Sequence, residues 1–159
     1  MKITFITVGK LKEKYIKAAV DEYAKRLSKY VKFNIIEVAD EPAREKISIA
    51  EEQIVLQHEG ERILKCIKES GYVIATAISG VRLDSVGFAE KITKLSVDGN
   101  SHIYFIIGGS LGLSPEVTKR ADFLLSFSKM TFPHQLMRVI LAEQVYRAFR
   151  INSGEPYHK

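Results

Sequence analysis

The sequence holds one cysteine, Cys66, in 159 residues. A lone thiol excludes an intramolecular disulfide framework and a cysteine-rich zinc site. It sits beside Ile63, Leu64 and Ile67 in a helical pattern and reads as core. No low-complexity stretch and no internal repeat is present, and only four prolines interrupt the chain. With 46% hydrophobic and 27% charged residues, the composition excludes a disordered chain, a collagen and a coiled coil. No apolar run approaches the ~20 residues of a membrane span. The first residues, Met1-Lys2-Ile3-Thr4-Phe5, enter a strand pattern without the layout of a secretory signal. The expectation is one cytoplasmic domain, long enough to bury its own core.

The four histidines, His58, His102, His134 and His158, lie far apart. None has a close His, Cys or acidic partner at a recognised ligand spacing, so no metal site is expected. His58 and His102 read as structural. A Gly-x-Ser-x-Gly turn is absent, which disfavours a serine nucleophile, and there is no Walker A loop. The net charge of +5 is unevenly spread. Residues 1–32 hold nine Lys/Arg against three acids, residues 33–128 ten against fourteen, and residues 129–159 five against two. Two basic ends around an acidic middle suit a polyanion touched by both ends. Solvated helix faces give the same count, so charge alone leaves both readings open.

The periodicity predicts alternating strands and helices. Strands are expected at 2–8, 33–38, 72–78, 102–107 and 123–127, where β-branched and aromatic residues run between breakers. From Lys10 to Tyr30, Leu11, Tyr15, Ala19, Tyr23 and Leu27 recur every four residues, which predicts an amphipathic helix. Ser48-Ile49-Ala50-Glu51 has capping-box spacing and opens a helix to about Ser70. A short helix is expected over 85–97, and Ser114-Pro115-Glu116 combines an N-cap, a first-turn proline and a first-turn acid. A long helix follows from Pro133 to Ile151. Strands apolar on both faces that alternate with helices predict a single α/β domain with a mainly parallel sheet covered on both faces. The last helix is apolar nearly all round, with only Glu143, Arg147 and Arg150 as a polar stripe, so it predicts a homodimer through that helix.

Ligands of open parallel sheets bind at the carboxyl ends of strands. Two such ends stand out. Gly108-Gly109-Ser110-Leu111-Gly112 follows one strand; Ser128-Lys129-Met130-Thr131-Phe132-Pro133-His134 follows another. The glycine loop is not a dinucleotide fingerprint, and as a bare cluster it fits either a ligand loop or a tight turn. Read as a ligand loop, it suits a group recognised through main-chain amides and carbonyls, such as an adenosine. The tail, Gly154-Glu155-Pro156-Tyr157-His158-Lys159, carries a π-surface, an imidazole and a cation. Those are the groups that stack on an unpaired base and meet its phosphates, although a frayed tail is the plain alternative.

Several segments together carry a family pattern. They are Phe105 to Leu113, Leu125 to Arg138 (LSFSKMTFPHQLMR), Glu143 to Phe149 (EQVYRAF), and Pro156-Tyr157-His158, with Val8-Gly9-Lys10-Leu11-Lys12 near the start. They resemble the ribosomal large-subunit pseudouridine N3-methyltransferase family, a small member of the SPOUT class of RNA methyltransferases, over the whole chain. The resemblance implies a trefoil knot within about residues 72–159, one of the rare exceptions to unknotted folds. It implies S-adenosyl-L-methionine as cofactor, homodimerisation, and methylation of a pseudouridine at N3 in 23S rRNA on the assembled 70S ribosome. Carried onto this chain, the cofactor loops are Thr76, Gly108 and Gly109, and Phe127, Ser128, Lys129, Met130, Thr131 and Phe132. Thr76 departs from the pattern, which has an aliphatic residue against the adenine.

Methyl transfer from a sulfonium needs positioning and exclusion of water, with no metal and no covalent intermediate. The N3 imide must lose its proton, so a base or a charge-stabilising cation helps. The candidates are His158 as base or base-positioner, Tyr157 for stacking and Arg138 for charge. Lys10, Lys12, Arg147 and Lys159 are the candidate phosphate contacts. Two other classes remain open on the sequence. One is a noncatalytic ribosome-binding module on the same scaffold. The other is a nucleotide-binding α/β protein holding phosphate at the glycine loop.

Overall fold

A computed structural model describes residues 1–42 and 45–159. Strands and helices alternate along the chain: β1 (Lys2–Val8), α1 (Lys14–Leu27), β2 (Lys32–Val38), α2 (Ile49–Lys65), β3 (Tyr72–Arg82), α3 (Ser85–Val97), β4 (His102–Ile107), α4 (Pro115–Arg120), β5 (Phe123–Ser126) and α5 (His134–Asn152). The strands form one sheet in the order β2-β1-β4-β3-β5, and every pairing is parallel. Strand alternation divides the core in two. Ile3, Phe5, Ile103 and Phe105 pack with Leu27 of α1, Ile92 of α3 and Leu141 and Val145 of α5. Ile6, Val8, Tyr104 and Ile106 pack on the opposite face with Ile63 of α2 and Val117 of α4. The expected α/β domain, a parallel sheet with helices on both faces, is present.

Local signals set the helix starts. Ser48 and Glu51 form a reciprocal capping box at α2. The Asp84 carboxylate accepts the Gly87 N–H at 2.7 Å, and the Ser114 hydroxyl accepts the Val117 N–H at 3.3 Å ahead of Pro115. These side chains satisfy amide donors that a helix start leaves without partners.

Besides α2, which ends at Lys65 instead of about Ser70, three expectations are corrected. The stripe Leu11-Tyr15-Ala19-Tyr23-Leu27 is not the buried face of α1. Ile16, Val20 and Leu27 are buried, and Tyr15 is 70% exposed. A strict spacing of four outruns a helix of 3.6 residues per turn, so such a stripe spirals off the sheet. The helix also begins at Lys14 instead of Lys10, because the Glu37 carboxylate accepts the Leu11 N–H at 3.1 Å and holds the preceding segment outside the helix. Third, β3 does not stop at Ile78. Leu125 of β5 pairs with both Thr76 and Val81, so residues 77–80 arch out before the strand resumes to Arg82. Gly80 permits this close return, since a Cβ there would lie 2.6 Å from the Leu124 carbonyl oxygen.

Helix α5 packs against both α1 and α3 and buries Leu141, Ala142, Val145, Tyr146 and Ala148. Much of its apolar surface is therefore covered within the chain. The first turns differ: Leu136 is exposed, and Val139 and Ile140 are half-buried.

Candidate active site

The carboxyl ends of β3, β4 and β5 surround a cavity of about 610 Å³. That volume is in the range of small-molecule sites. Thr76 to Ser79 form one wall, and Ile107, Gly108, Gly109, Gly112 and Leu113 form a second. Leu125, Phe127, Ser128, Met130, Thr131 and Phe132 supply a third, closed by Thr118 of α4 and by His134 and Met137 of α5.

The glycine loop is a tight return as well as a wall. Gly109 and Gly112 bridge in antiparallel fashion, and the Gly112 N–H donates to the Gly109 carbonyl at 3.1 Å. A Cβ on Gly108 would lie 2.5 Å from the Gly112 carbonyl oxygen. Only glycine at 108 allows the loop to close this way, so the ligand-loop and tight-turn readings describe one feature. Behind the loop, Glu59 is 5% exposed and accepts the Glu41 N–H at 3.0 Å. Burial pushes its carboxyl above the usual glutamate value.

The second loop is held by serines. Ser126 donates to the Ser128 carbonyl at 3.2 Å, and the Ser128 hydroxyl accepts the Met130 N–H at 3.0 Å. Met130 and Thr131 stand exposed at the rim, and Lys129 lies outside the lining. The Thr76 hydroxyl donates to the Ile106 carbonyl at 3.0 Å. Its one proton is thereby committed to the neighbouring strand, which softens the departure from an aliphatic residue.

His134 is the one ionisable side chain among the described residues that line the cavity. It is the first residue of α5. Burial and then the Arg138 guanidinium push its imidazole below the ordinary histidine value, against an upward pull from Asp40. One turn on, Arg138 is 1% exposed. Its Nη2 donates to the carbonyls of Val8 at 3.0 Å and Gly9 at 2.7 Å, and its Nη1 to Glu37 at 2.6 Å. Arg138 thus ties α5 to the end of β1 and is not part of the lining.

The tail lies elsewhere. The Tyr157 hydroxyl donates to Glu143 at 3.1 Å, its ring meets Tyr146 edge-on at 4.9 Å, and Arg147 lies 4.7 Å from the ring centre. Burial, then the Tyr23 and Glu143 side chains, push the Tyr157 phenol up to about 12. His158 is exposed, with Nδ1 at 3.2 Å from Arg147. Met137 and Tyr146 are nine residues apart, or about 14 Å along the helix. The structure therefore brings the expected cofactor residues together, Lys129 excepted, and does not bring His158, Tyr157 or Arg138 into that cavity. Ala77, Ile78, Ser79, Thr118 and Met137 were missed as lining, and His134, at the end of the second candidate loop, was given no role. The loop ending in Pro133-His134 was a usable signal; the arch at 77–80 has only Gly80 to announce it.

Among the described residues no group of three or more His, Cys, Asp or Glu could hold a metal ion, and no helix is long and apolar enough to cross a membrane.

The family model described as "Predicted SPOUT methyltransferase" matches residues 1–158. Proteins named ribosomal RNA large subunit methyltransferase H from Alkaliphilus oremlandii, Bifidobacterium adolescentis and Clostridioides difficile are 62%, 61% and 58% identical. In each case the match covers 100% of both chains. A solved structure titled as a probable methylase family protein from Haemophilus influenzae Rd KW20 matches 99% of this chain and 70% of its own. Its TM-score is 0.56 at 13% identity, which speaks for the fold alone. The chain belongs to the SPOUT methyltransferase family, within its large-subunit rRNA methyltransferase H branch.

Proposed function

We propose that this protein transfers a methyl group from S-adenosyl-L-methionine to N3 of a pseudouridine in 23S rRNA, on the assembled 70S ribosome in the cytoplasm. The cavity at the ends of β3, β4 and β5 carries this reading. Its main-chain loop at Gly108 and Gly109 and its apolar walls suit an adenosine, and its described lining residues include no Lys or Arg for a polyphosphate. Thr76, Gly108, Gly109, Phe127, Ser128, Met130, Thr131 and Phe132 would hold the cofactor. Bound there, the cofactor supplies an electrophilic methyl on a sulfonium. The chain's own part is to fix that group, exclude water and move the imide proton.

The same proposal includes a homodimer and the knot. Leu136, Val139 and Ile140 on the first turns of α5, with exposed Ile78 and Met130 at the rim, form a residual apolar surface for a second copy. Since a chain's own tail is remote from its own cavity, a two-fold partner offers the tail a route to it. Tyr157 then stacks on the target base, and His158 and Lys159 face its phosphates with Lys10, Lys12 and Arg147. The whole chain forms one knotted domain, with the knot within about 72–159.

Thermal denaturation in the presence of S-adenosylhomocysteine, NAD or ATP tests the reading. Stabilisation by S-adenosylhomocysteine alone is expected. Stabilisation by NAD or ATP would transfer the case to a nucleotide-binding protein, and by none of them to a noncatalytic ribosome-binding module.

A further inference from the structure

We propose that His134 is the proton acceptor of this reaction, taking the N3 proton of the target base at the cofactor cavity. The inference rests on the reading above, that the cavity holds S-adenosylmethionine beside an RNA imide. Among the described residues lining the cavity, His134 alone can titrate. Its position disfavours the charged form in two ways. It is half-buried, and it opens a 19-residue helix, whose N-terminal partial positive charge repels an imidazolium. Arg138 one turn on adds to this, and Asp40, on the segment after β2, opposes it. The described walls from β3, β4 and β5 contribute no charged group. The result is a neutral imidazole at neutral pH, the form a base requires.

The other candidates are less suited. The Tyr157 phenol, pushed up to about 12, stays protonated. The Arg138 guanidinium carries donors only and is committed to two carbonyls and Glu37. His158 lies on the tail beyond α5, beside Arg147 and outside its own chain's cavity; delivered by a two-fold partner it meets phosphates, and His158→Ala below separates the two candidates.

The electron balance fits a neutral base. The N3–H proton passes to the imidazole, and its bonding pair stays on nitrogen to form the N–CH₃ bond. The S–CH₃ bond breaks with its pair retained by sulfur, leaving a neutral thioether. One positive charge on the sulfonium becomes one on the imidazolium, which releases its proton to water. The described lining supplies no carboxylate, and the net charge in the cavity is the same before and after the transfer. Asp40 favours the imidazolium once it has formed.

The test compares wild type with His134→Asn, His134→Ala and His158→Ala. In the wild-type protein, the His134 imidazole is titrated by NMR with S-adenosylmethionine bound and with S-adenosylhomocysteine bound. The midpoint should be lower with the cationic cofactor, because the sulfonium lies nearby. Single-turnover methyl transfer to ribosomes should fall about 10²–10⁴-fold in both His134 variants. Its acid limb should vanish, added imidazole should partly restore His134→Ala, and S-adenosylhomocysteine should still stabilise both variants. His158→Ala should keep the acid limb. Equal NMR midpoints, or a His134→Asn rate within about threefold of wild type, would overturn the assignment and leave the parent reading intact. A wild type that transfers no methyl and binds neither cofactor would overturn both.

Discussion

Arg138 offers the sharpest test of how the site is supported. Replacing it with alanine removes the charged donor from the Val8 and Gly9 carbonyls and from Glu37. A hydrogen bond to a charged group contributes about 1.5–3 kcal/mol. Two main-chain acceptors lose such a donor. The Glu37 side chain is 37% exposed and keeps the Leu11 N–H, so its ion pair adds about 1 kcal/mol or less. Both carbonyls share one Nη2, so these contributions are not additive, and the loss of one buried, hydrogen-bonded guanidinium is taken as roughly 3–5 kcal/mol. For a chain of this length that lowers the melting temperature by roughly 6–20 °C. Urea unfolding of wild type, Arg138→Ala, Arg138→Lys and Glu37→Gln measures it. Arg138→Lys should recover part of the loss, and Glu37→Gln should cost least. The transfer rate per folded molecule should fall less than about tenfold, because the guanidinium is committed to main chain. An Arg138→Ala protein within about 1 kcal/mol of wild type at unchanged m-value would refute the reasoning.

Three other perturbations follow. Gly108→Ala places a Cβ 2.5 Å from the Gly112 carbonyl oxygen, so cofactor affinity should fall at least about tenfold by calorimetric titration. Unchanged affinity would show that the loop is not a binding wall. Glu59 has a folded-state pKa above its unfolded value, so its charged form weakens the native state above that pKa. Stability from this group is gained as pH falls through the raised value, and Glu59→Gln should be more stable than wild type at neutral pH. The gain should fade toward the ordinary glutamate range in melts taken across pH; a Gln variant less stable at pH 7 contradicts the sign. Leu136→Glu should convert a dimer to a monomer by sedimentation while leaving the fold intact, since Leu136 is 40% exposed in the single chain.

Much of the architecture was legible because its signals are local. The strand HIYFII at 102–107, the Ser48–Glu51 capping box and the Ser114-Pro115 start each act within a few residues. Their pattern sufficed to place the glycine loop and the 127–132 loop at strand ends, where ligands of parallel sheets bind. What was illegible depends on contacts distant in sequence. The start of α1 is set by Glu37 from the next strand, and its buried face by the sheet it meets. The arch in β3 exists because β5, more than 40 residues later, pairs on both sides of it. His134 and Met137 enter the cavity because Arg138 anchors the start of α5 to the end of β1. The tail's chemistry was readable, but its docking on Glu143 and Tyr146 follows from how α5 lies.

The central claim is most directly tested by transfer of a labelled methyl group from S-adenosylmethionine to particles lacking the modification. Intact 70S ribosomes, free large subunits and naked 23S rRNA would be compared, and the labelled nucleotide mapped. The account predicts label on 70S ribosomes alone, at N3 of a pseudouridine. Label on a different RNA or atom, or none on any particle by a protein that binds the cofactor, would contradict it.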